Sequence, residues 1–81
     1  MPEGDPMKYV VVAYDKISEA AEEETDLSAV GADRLARLIG IPVDRLVDVY
    51  PLDERHRAAL AGWADLTFAP DTYDYFLEAE A

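Results

Sequence analysis

The sequence contains no cysteine, one histidine and only seven lysine and arginine residues among 81. Without cysteine the chain forms no disulfide, has no thiolate nucleophile and builds no cysteine-based metal site. This composition fits the reducing cytoplasm, where structural disulfides are rare. No stretch approaches the roughly 20 consecutive apolar residues of a membrane-spanning helix. We therefore expect a cytoplasmic protein with no membrane partner.

Other signals of chemistry are also missing. The four glycines form no phosphate-binding loop, and neither serine, Ser18 or Ser28, lies in a nucleophile-elbow pattern. His56 has no second histidine to pair with and falls on the apolar stripe of a predicted helix, so we interpret it as a packed residue. The Glu22–Glu24 run lacks the spaced oxygen ligands and the glycine of a calcium loop. The sequence thus predicts no enzyme activity, no catalytic residue, no cofactor and no metal site.

Acidic residues dominate the remaining charge, and the formal net charge is -11. Residues 15–26 carry six acidic residues and one lysine, and residues 65–80 carry five acidic residues and no base. The middle of the chain, residues 33–57, balances five acidic residues with five arginines. Such a field disfavours nucleic acid and favours a basic protein partner.

The residue pattern of two segments predicts strands. Residues 8–14, KYVVVAY, are β-branched and aromatic and indicate a buried strand. Residues 72–79, TYDYFLEA, alternate in polarity after a turn at Pro70. Residues 17–24 allow a helical spacing, but we prefer a hairpin whose second strand covers about residues 20–27. In that strand Ala21, Thr25 and Leu27 are expected to face inward, although Glu23 falls on the same side.

Two helices complete the pattern. The first is predicted over residues 28–39, with Ser28 as N-cap and Gly40 as C-terminal stop. The second is predicted over residues 54–64, with Asp53 as N-cap and an apolar face of Ala59, Leu60 and Trp63. Residues 43–50 fit a short helix, a strand, or a helical turn that leads into a strand.

These elements predict a two-layer α+β fold of order β-β-α-(β)-α-β. The apolar segment at residues 8–14 is suited to the sheet centre, so the last strand is expected to return beside the first. Both helices would cover one face of an antiparallel sheet. We divide the chain into a flexible extension, residues 1–6, which lacks the features of a signal peptide, and a single domain, residues 7–81.

The uncovered face of this sheet is the predicted partner-binding site. It would consist of one aromatic residue among carboxylates, namely Glu22, Glu24, Asp26, Asp74, Phe76, Glu78 and Glu80. Tyr9 or Tyr14 would lie nearby. Like charges on neighbouring strands cost stability, and an exposed aromatic ring among them is typical of a binding hot spot. The other interpretation is a solvated face that keeps a small domain soluble.

Two local resemblances point elsewhere. Residues 32–49 resemble a helix-turn-helix. The recognition helix, however, would carry Asp44, Arg45 and Asp48, and one positive charge against two negative charges disfavours contacts with phosphate groups. Residues 31–35, GADRL, resemble the Gly-x-Asp-Ser-Leu of acyl carrier proteins, but Arg34 stands where the serine that carries the prosthetic group is required. We expect neither DNA binding nor a carrier function.

The chain as a whole resembles small, uncharacterised, acidic bacterial single-domain proteins of the immunity or inhibitor type. The resemblance rests on the opening strand with Ala13-Tyr14-Asp15 and the acidic strand that ends in Asp26-Leu27-Ser28. It implies a protein-binding module that blocks a basic partner. The alternative is a self-associating regulatory or structural homodimer without a basic partner.

Overall fold

The computed structural model of the protein describes residues 8–64 and 66–80. Along the chain the elements are β1 (Lys8–Asp15), β2 (Ala21–Asp26), α1 (Ala32–Ile39), a 3-10 turn (Val43–Arg45), β3 (Val49–Pro51), α2 (Glu54–Ala64) and β4 (Tyr73–Glu80). This order confirms the predicted α+β class. The predicted extension, residues 1–6, lies outside the described residues. Neither helix in the described part of the chain has the length and apolar content needed to cross a membrane.

The four strands form one antiparallel sheet in the order β2-β1-β4-β3. The apolar strand β1 is internal, and β4 returns beside it as predicted. A tight turn joins β1 to β2, where Asp15 Oδ1 accepts the backbone N–H groups of Ile17 and Ser18 at 2.8 and 2.9 Å. The sheet thereby brings the two strongly acidic segments of the chain to either side of β1.

The core lies between one face of the sheet and the two helices. Tyr9, Val11 and Leu77 from the sheet pack in one cluster with Leu35 of α1 and Leu60 of α2. Burial of this apolar surface is the main source of stability in a domain of this size. The two-layer arrangement leaves the opposite face of the sheet without a covering helix.

The first helix is shorter than predicted. It begins at Ala32 after the N-cap Gly31, whose φ of 92° suits glycine. Ser28 does not cap it, because the Asp26 carboxylate accepts both the Ser28 N–H at 2.7 Å and its hydroxyl at 2.5 Å and holds it in a preceding turn. The predicted stop at Gly40 is confirmed, since Gly40 is left-handed and donates its N–H to the Ala36 carbonyl.

Residues 43–50 adopt the third of the predicted alternatives, a helical turn that leads into a strand. A single 3-10 turn ends at Arg45, and β3 begins at Val49. The core holds this segment, because Leu46 is fully buried and its carbonyl accepts the Tyr9 hydroxyl at 2.9 Å. The recognition helix of a helix-turn-helix is therefore not formed.

Asp53 caps α2 as predicted. Asp53 Oδ1 accepts the His56 N–H at 2.9 Å, and His56 Nδ1 accepts the Asp53 N–H at 3.1 Å. This is a reciprocal capping box in which histidine takes the usual place of glutamate. The prediction for Trp63 is wrong, because this side chain is 40% exposed beneath the Arg34 guanidinium, 5.6 Å from the ring centre, and only Leu60 of α2 is fully buried.

Candidate protein-binding face

The sheet surface opposite the helices is here called the outer face. Directly paired residues of antiparallel strands point to the same side of a sheet. Val10 lies between Asp26 of β2 and Glu78 of β4, and Val12 lies between Glu24 and Phe76. The outer face continues at either end with the pairs Lys8–Glu80 and Tyr14–Asp74.

Six of the seven predicted site residues lie together on this face: Glu24, Asp26, Asp74, Phe76, Glu78 and Glu80. Glu22 does not join them. The pairing of β1 with β2 shifts between Ala13–Glu23 and Tyr14–Ala21, so Glu22 occupies a β-bulge. A bulge adds one residue to one strand and inverts the alternation beyond it.

The same bulge makes the prediction for Ala21 wrong. Ala21 pairs with Tyr14 of the outer face and is exposed, whereas Thr25 pairs with Val11 on the helix side as expected. Glu23 also falls on the helix side but stays exposed, because β2 is an edge strand. Burial and the charges of Glu23 and Glu22 raise the pKa of Tyr73, which packs against the core.

Two buried valines form the floor of the outer face. Val10 is 0% exposed and Val12 is 5% exposed, yet neither belongs to the core cluster under the helices. Their cover comes from long side chains of the neighbouring strands. The Tyr14 hydroxyl donates to the Glu78 carboxylate. Tyr14 is paired with Asp74, four residues before Glu78, so this contact runs diagonally across Val12.

A second diagonal contact crosses Val10. Glu24 lies opposite Val12 and Glu80 lies opposite Lys8, so their carboxyl groups meet over the valine between them. The hydrogen bond with Glu24, followed by burial and the Glu24 charge, raises the pKa of Glu80. Two carboxyl groups that lie within hydrogen-bonding reach of each other bind a proton more tightly than one carboxyl group alone.

Only two basic side chains balance these acids on the described part of the outer face. Lys16 Nζ lies 2.6 Å from Asp74 Oδ1, and Lys8 Nζ lies 4.0 Å from Asp26 Oδ2. All four side chains are largely exposed, so these ion pairs contribute little to stability. The five arginines are carried instead by α1, the 3-10 turn and α2.

A concavity of about 460 Å³ opens at one end of the outer face. Tyr14, Phe76 and Val49 form its apolar part, and the acidic residues around it are Asp15, Glu19, Asp74 and Glu78. The two rings meet edge to face, with centroids 5.5 Å apart and an interplanar angle of 81°. We refer to this feature as the Phe76 concavity.

Four of the residues around the Phe76 concavity were not predicted as site residues: Asp15, Glu19, Val49 and Tyr14, of which Tyr14 was expected to lie nearby. Asp15 ends β1 and Glu19 lies in the β1–β2 turn, whose position beside β4 depends on the sheet. Val49 comes from β3, whose segment was ambiguous. The position of Tyr14 could be predicted from the sequence, because Tyr14 ends the apolar run two residues beyond Val12 and therefore lies on the same face of the strand.

The chemistry open to this surface is cation binding through charge and aromatic contact. Within residues 8–64 and 66–80, no group of three or more histidine, aspartate or glutamate side chains is arranged to hold a metal ion. The acidic groups of the outer face are spread along two strands, β2 and β4, on either side of β1 rather than gathered at one point. That spacing suits several contacts with a large partner.

The fold and this face define a small two-layer α+β domain with one acidic, uncovered sheet surface. The chain belongs to the family described as Domain of unknown function (DUF7683), whose model matches residues 8–78. No curated protein and no solved structure matches the chain.

Proposed function

We propose that the protein is a non-enzymatic binding module that docks its outer face on a basic surface of a protein partner. The observation that carries this proposal is an uncovered sheet face that holds five carboxylates and a half-buried phenylalanine, which two of the carboxylates flank. The function would be that of an immunity protein or inhibitor, acting by steric occlusion in the cytoplasm.

The charge distribution supports the first step of such binding. The outer face holds acidic side chains from β2 and β4 and no arginine, whereas every arginine lies on the helices or the 3-10 turn. The resulting field attracts and orients a positively charged surface before contact. Screening at physiological salt shortens its reach to about 8 Å, so complex formation should weaken as salt rises.

The apolar content of the face supports the second step. A purely solvated surface needs only charge, but here Phe76, Tyr14 and Val49 form a concavity that a partner side chain can fill. Desolvated aromatic residues within a polar surround carry much of the energy of protein–protein contacts. A basic active site that handles nucleic acid or nucleotides is a natural target, because its cations already face solvent.

The test compares two variants of equal net charge. The face variant is E24K/D74K/E78K, and the control variant is D33K/D44K/E54K, which places the same three reversals on α1, the 3-10 turn and α2. Tagged wild type captures partners from source-cell lysate at low salt. Each captured protein is then purified and its association rate with all three forms is measured over a salt series.

We expect one basic protein whose association is slowed at least about tenfold by the face variant and much less by the control. Circular dichroism checks that both variants fold. Equal slowing of association by both variants would show that net charge alone sets the association rate. Unchanged association with the face variant would exclude the outer face as the partner-binding site. A wild-type dimer in sedimentation that the face variant dissociates would favour the homodimer instead.

A further inference from the structure

We propose that the Phe76 concavity is an anchor for one arginine side chain of the basic partner, an inference that rests on the proposed function. The group that enters the concavity is the arginine guanidinium. The proposal follows from the placement of one aromatic ring between two carboxylates of the same strand. Other acidic parts of the outer face lack this combination.

Strand geometry sets the arrangement. Asp74, Phe76 and Glu78 alternate along β4 and all point to the outer face. Residues two apart on a strand are separated by about 6.6 Å, so a carboxylate stands on either side of the ring. The edge of Tyr14 and the exposed Val49 complete the concavity. A volume of about 460 Å³ is in the range of sites that hold small ligands.

Each flanking carboxylate is already oriented and keeps an acceptor. Asp74 uses Oδ1 for the Lys16 ammonium, and Glu78 uses Oε2 for the Tyr14 hydroxyl. Within the described residues the second oxygen of each carboxylate, Oδ2 and Oε1, has no donor. These oxygens can accept N–H groups from an incoming cation without breaking the existing contacts.

Arginine fits this environment better than lysine. Its guanidinium group is planar, stacks on aromatic rings, is weakly hydrated and presents N–H groups in a fork that matches carboxylate oxygens. Its aliphatic stem can lie against Val49, while the charge remains near the rim. Lysine offers a compact and strongly hydrated ammonium, which gains less from the ring.

The opposite end of the outer face is a built-in comparison. Glu24 and Glu80 meet there over Val10, and Lys8 lies alongside. This end has comparable negative charge but no aromatic ring among the residues paired around Val10. An anchor that depended on charge alone would use both ends equally.

The experiment is a nuclear magnetic resonance titration of the full chain with three probes, at low ionic strength of about 20 mM to limit screening. The probes are N-acetyl-arginine amide, N-acetyl-lysine amide and the neutral isostere N-acetyl-citrulline amide. We expect saturable shifts of the Val49, Asp74, Phe76 and Glu78 amides with the arginine probe. The lysine probe should bind about two- to fivefold more weakly, and citrulline should leave these amides unshifted.

Two carboxamide variants and one ring variant localise the effect. Glu78→Gln should weaken arginine binding, whereas Glu80→Gln, the same charge change outside the concavity, should not. Phe76→Leu keeps an apolar side chain but removes the ring, and it should abolish the preference for arginine over lysine. If Phe76→Leu fails to fold, the comparison of Glu78→Gln with Glu80→Gln still tests whether arginine binds in the Phe76 concavity.

Equal shifts with arginine and lysine, spread over Glu24, Asp26 and Glu80, would overturn the anchor. They would leave the proposed function intact, because that is judged by the association rate of E24K/D74K/E78K with the natural partner. Conversely, specific arginine binding at Phe76 together with unchanged partner association would refute the proposed function and would leave an arginine-binding concavity that the partner does not use.

Discussion

Two adjacent valines provide a direct test of the structure around the outer face. Val10 is 0% exposed beneath carboxylate side chains, and Val11 is 3% exposed beneath the helices. Both valines lie in β1, and replacement by alanine removes the same side-chain volume and the same β propensity at each position. The difference between Val10→Ala and Val11→Ala therefore reports only what covers each side chain.

The expected magnitudes follow from burial. Each substitution deletes the equivalent of two methylene groups, which costs about 1.6 kcal/mol of transfer free energy. At Val11 the packed helices cannot close the space, and a residual cavity of roughly 40 Å³ adds about 1 kcal/mol. At Val10 the flexible glutamate stems can settle into the gap, so that cavity term should be absent.

Thermal and urea unfolding followed by circular dichroism at neutral pH measure both variants. We expect Val11→Ala to be less stable than Val10→Ala by about 1 kcal/mol, which corresponds to about 4–8 °C in melting temperature for a domain of this size. Repeating the comparison in high salt removes carboxylate repulsion as a source of the difference. Equal losses, or a larger loss for Val10→Ala, would show that the cover of the outer face is as rigid as the core.

Three further predictions address the core, the pH response and the binding face. Tyr9→Phe removes the donor to the buried Leu46 carbonyl and should cost about 1–2 kcal/mol in urea unfolding, with no loss meaning that the 3-10 segment is not held by this bond. The pKa of Glu80 is raised in the folded state, so its stabilising contribution is present at low pH and is lost as pH rises through its folded pKa, above the ordinary 4.5. Glu80→Gln should therefore gain stability relative to wild type as pH rises from about 4 to 7, and a pH-independent difference between the two proteins would contradict the raised pKa of Glu80. Lys16→Met frees the Asp74 carboxylate and should strengthen binding of the arginine probe by more than Lys8→Met, which makes the same change of charge at the other end of the face; equal gains from both would indicate a field effect alone.

Much of the outer face could be predicted because β4 is locally unambiguous. Its alternation places Asp74, Phe76, Glu78 and Glu80 on one side whatever the strand pairs with, since successive side chains of a strand point to opposite faces. The central position of β1 followed equally from its apolar run. The C-terminal stop of α1 at Gly40 and the N-cap of α2 at Asp53 could also be predicted, because capping depends on residues within one turn of the helix.

The remaining features depend on contacts between distant segments. The bulge that removes Glu22 from the face is a property of the pairing of β2 with β1, and no pattern within β2 alone reveals it. Ser28 is the exception, because a local contact overturned its prediction: the Asp26 carboxylate two residues earlier accepts its N–H and its hydroxyl.

The sequence by itself therefore determined the fold class, the central strand and the acidic alternation of β4, because these are encoded by residues adjacent in the chain. Only the tertiary structure decided that Val49 would line one concavity with Phe76, and that Glu24 and Glu80 would lie together over Val10. These contacts join residues far apart in sequence. Their geometry is set by strand register and sheet order, which emerge only when the whole core packs.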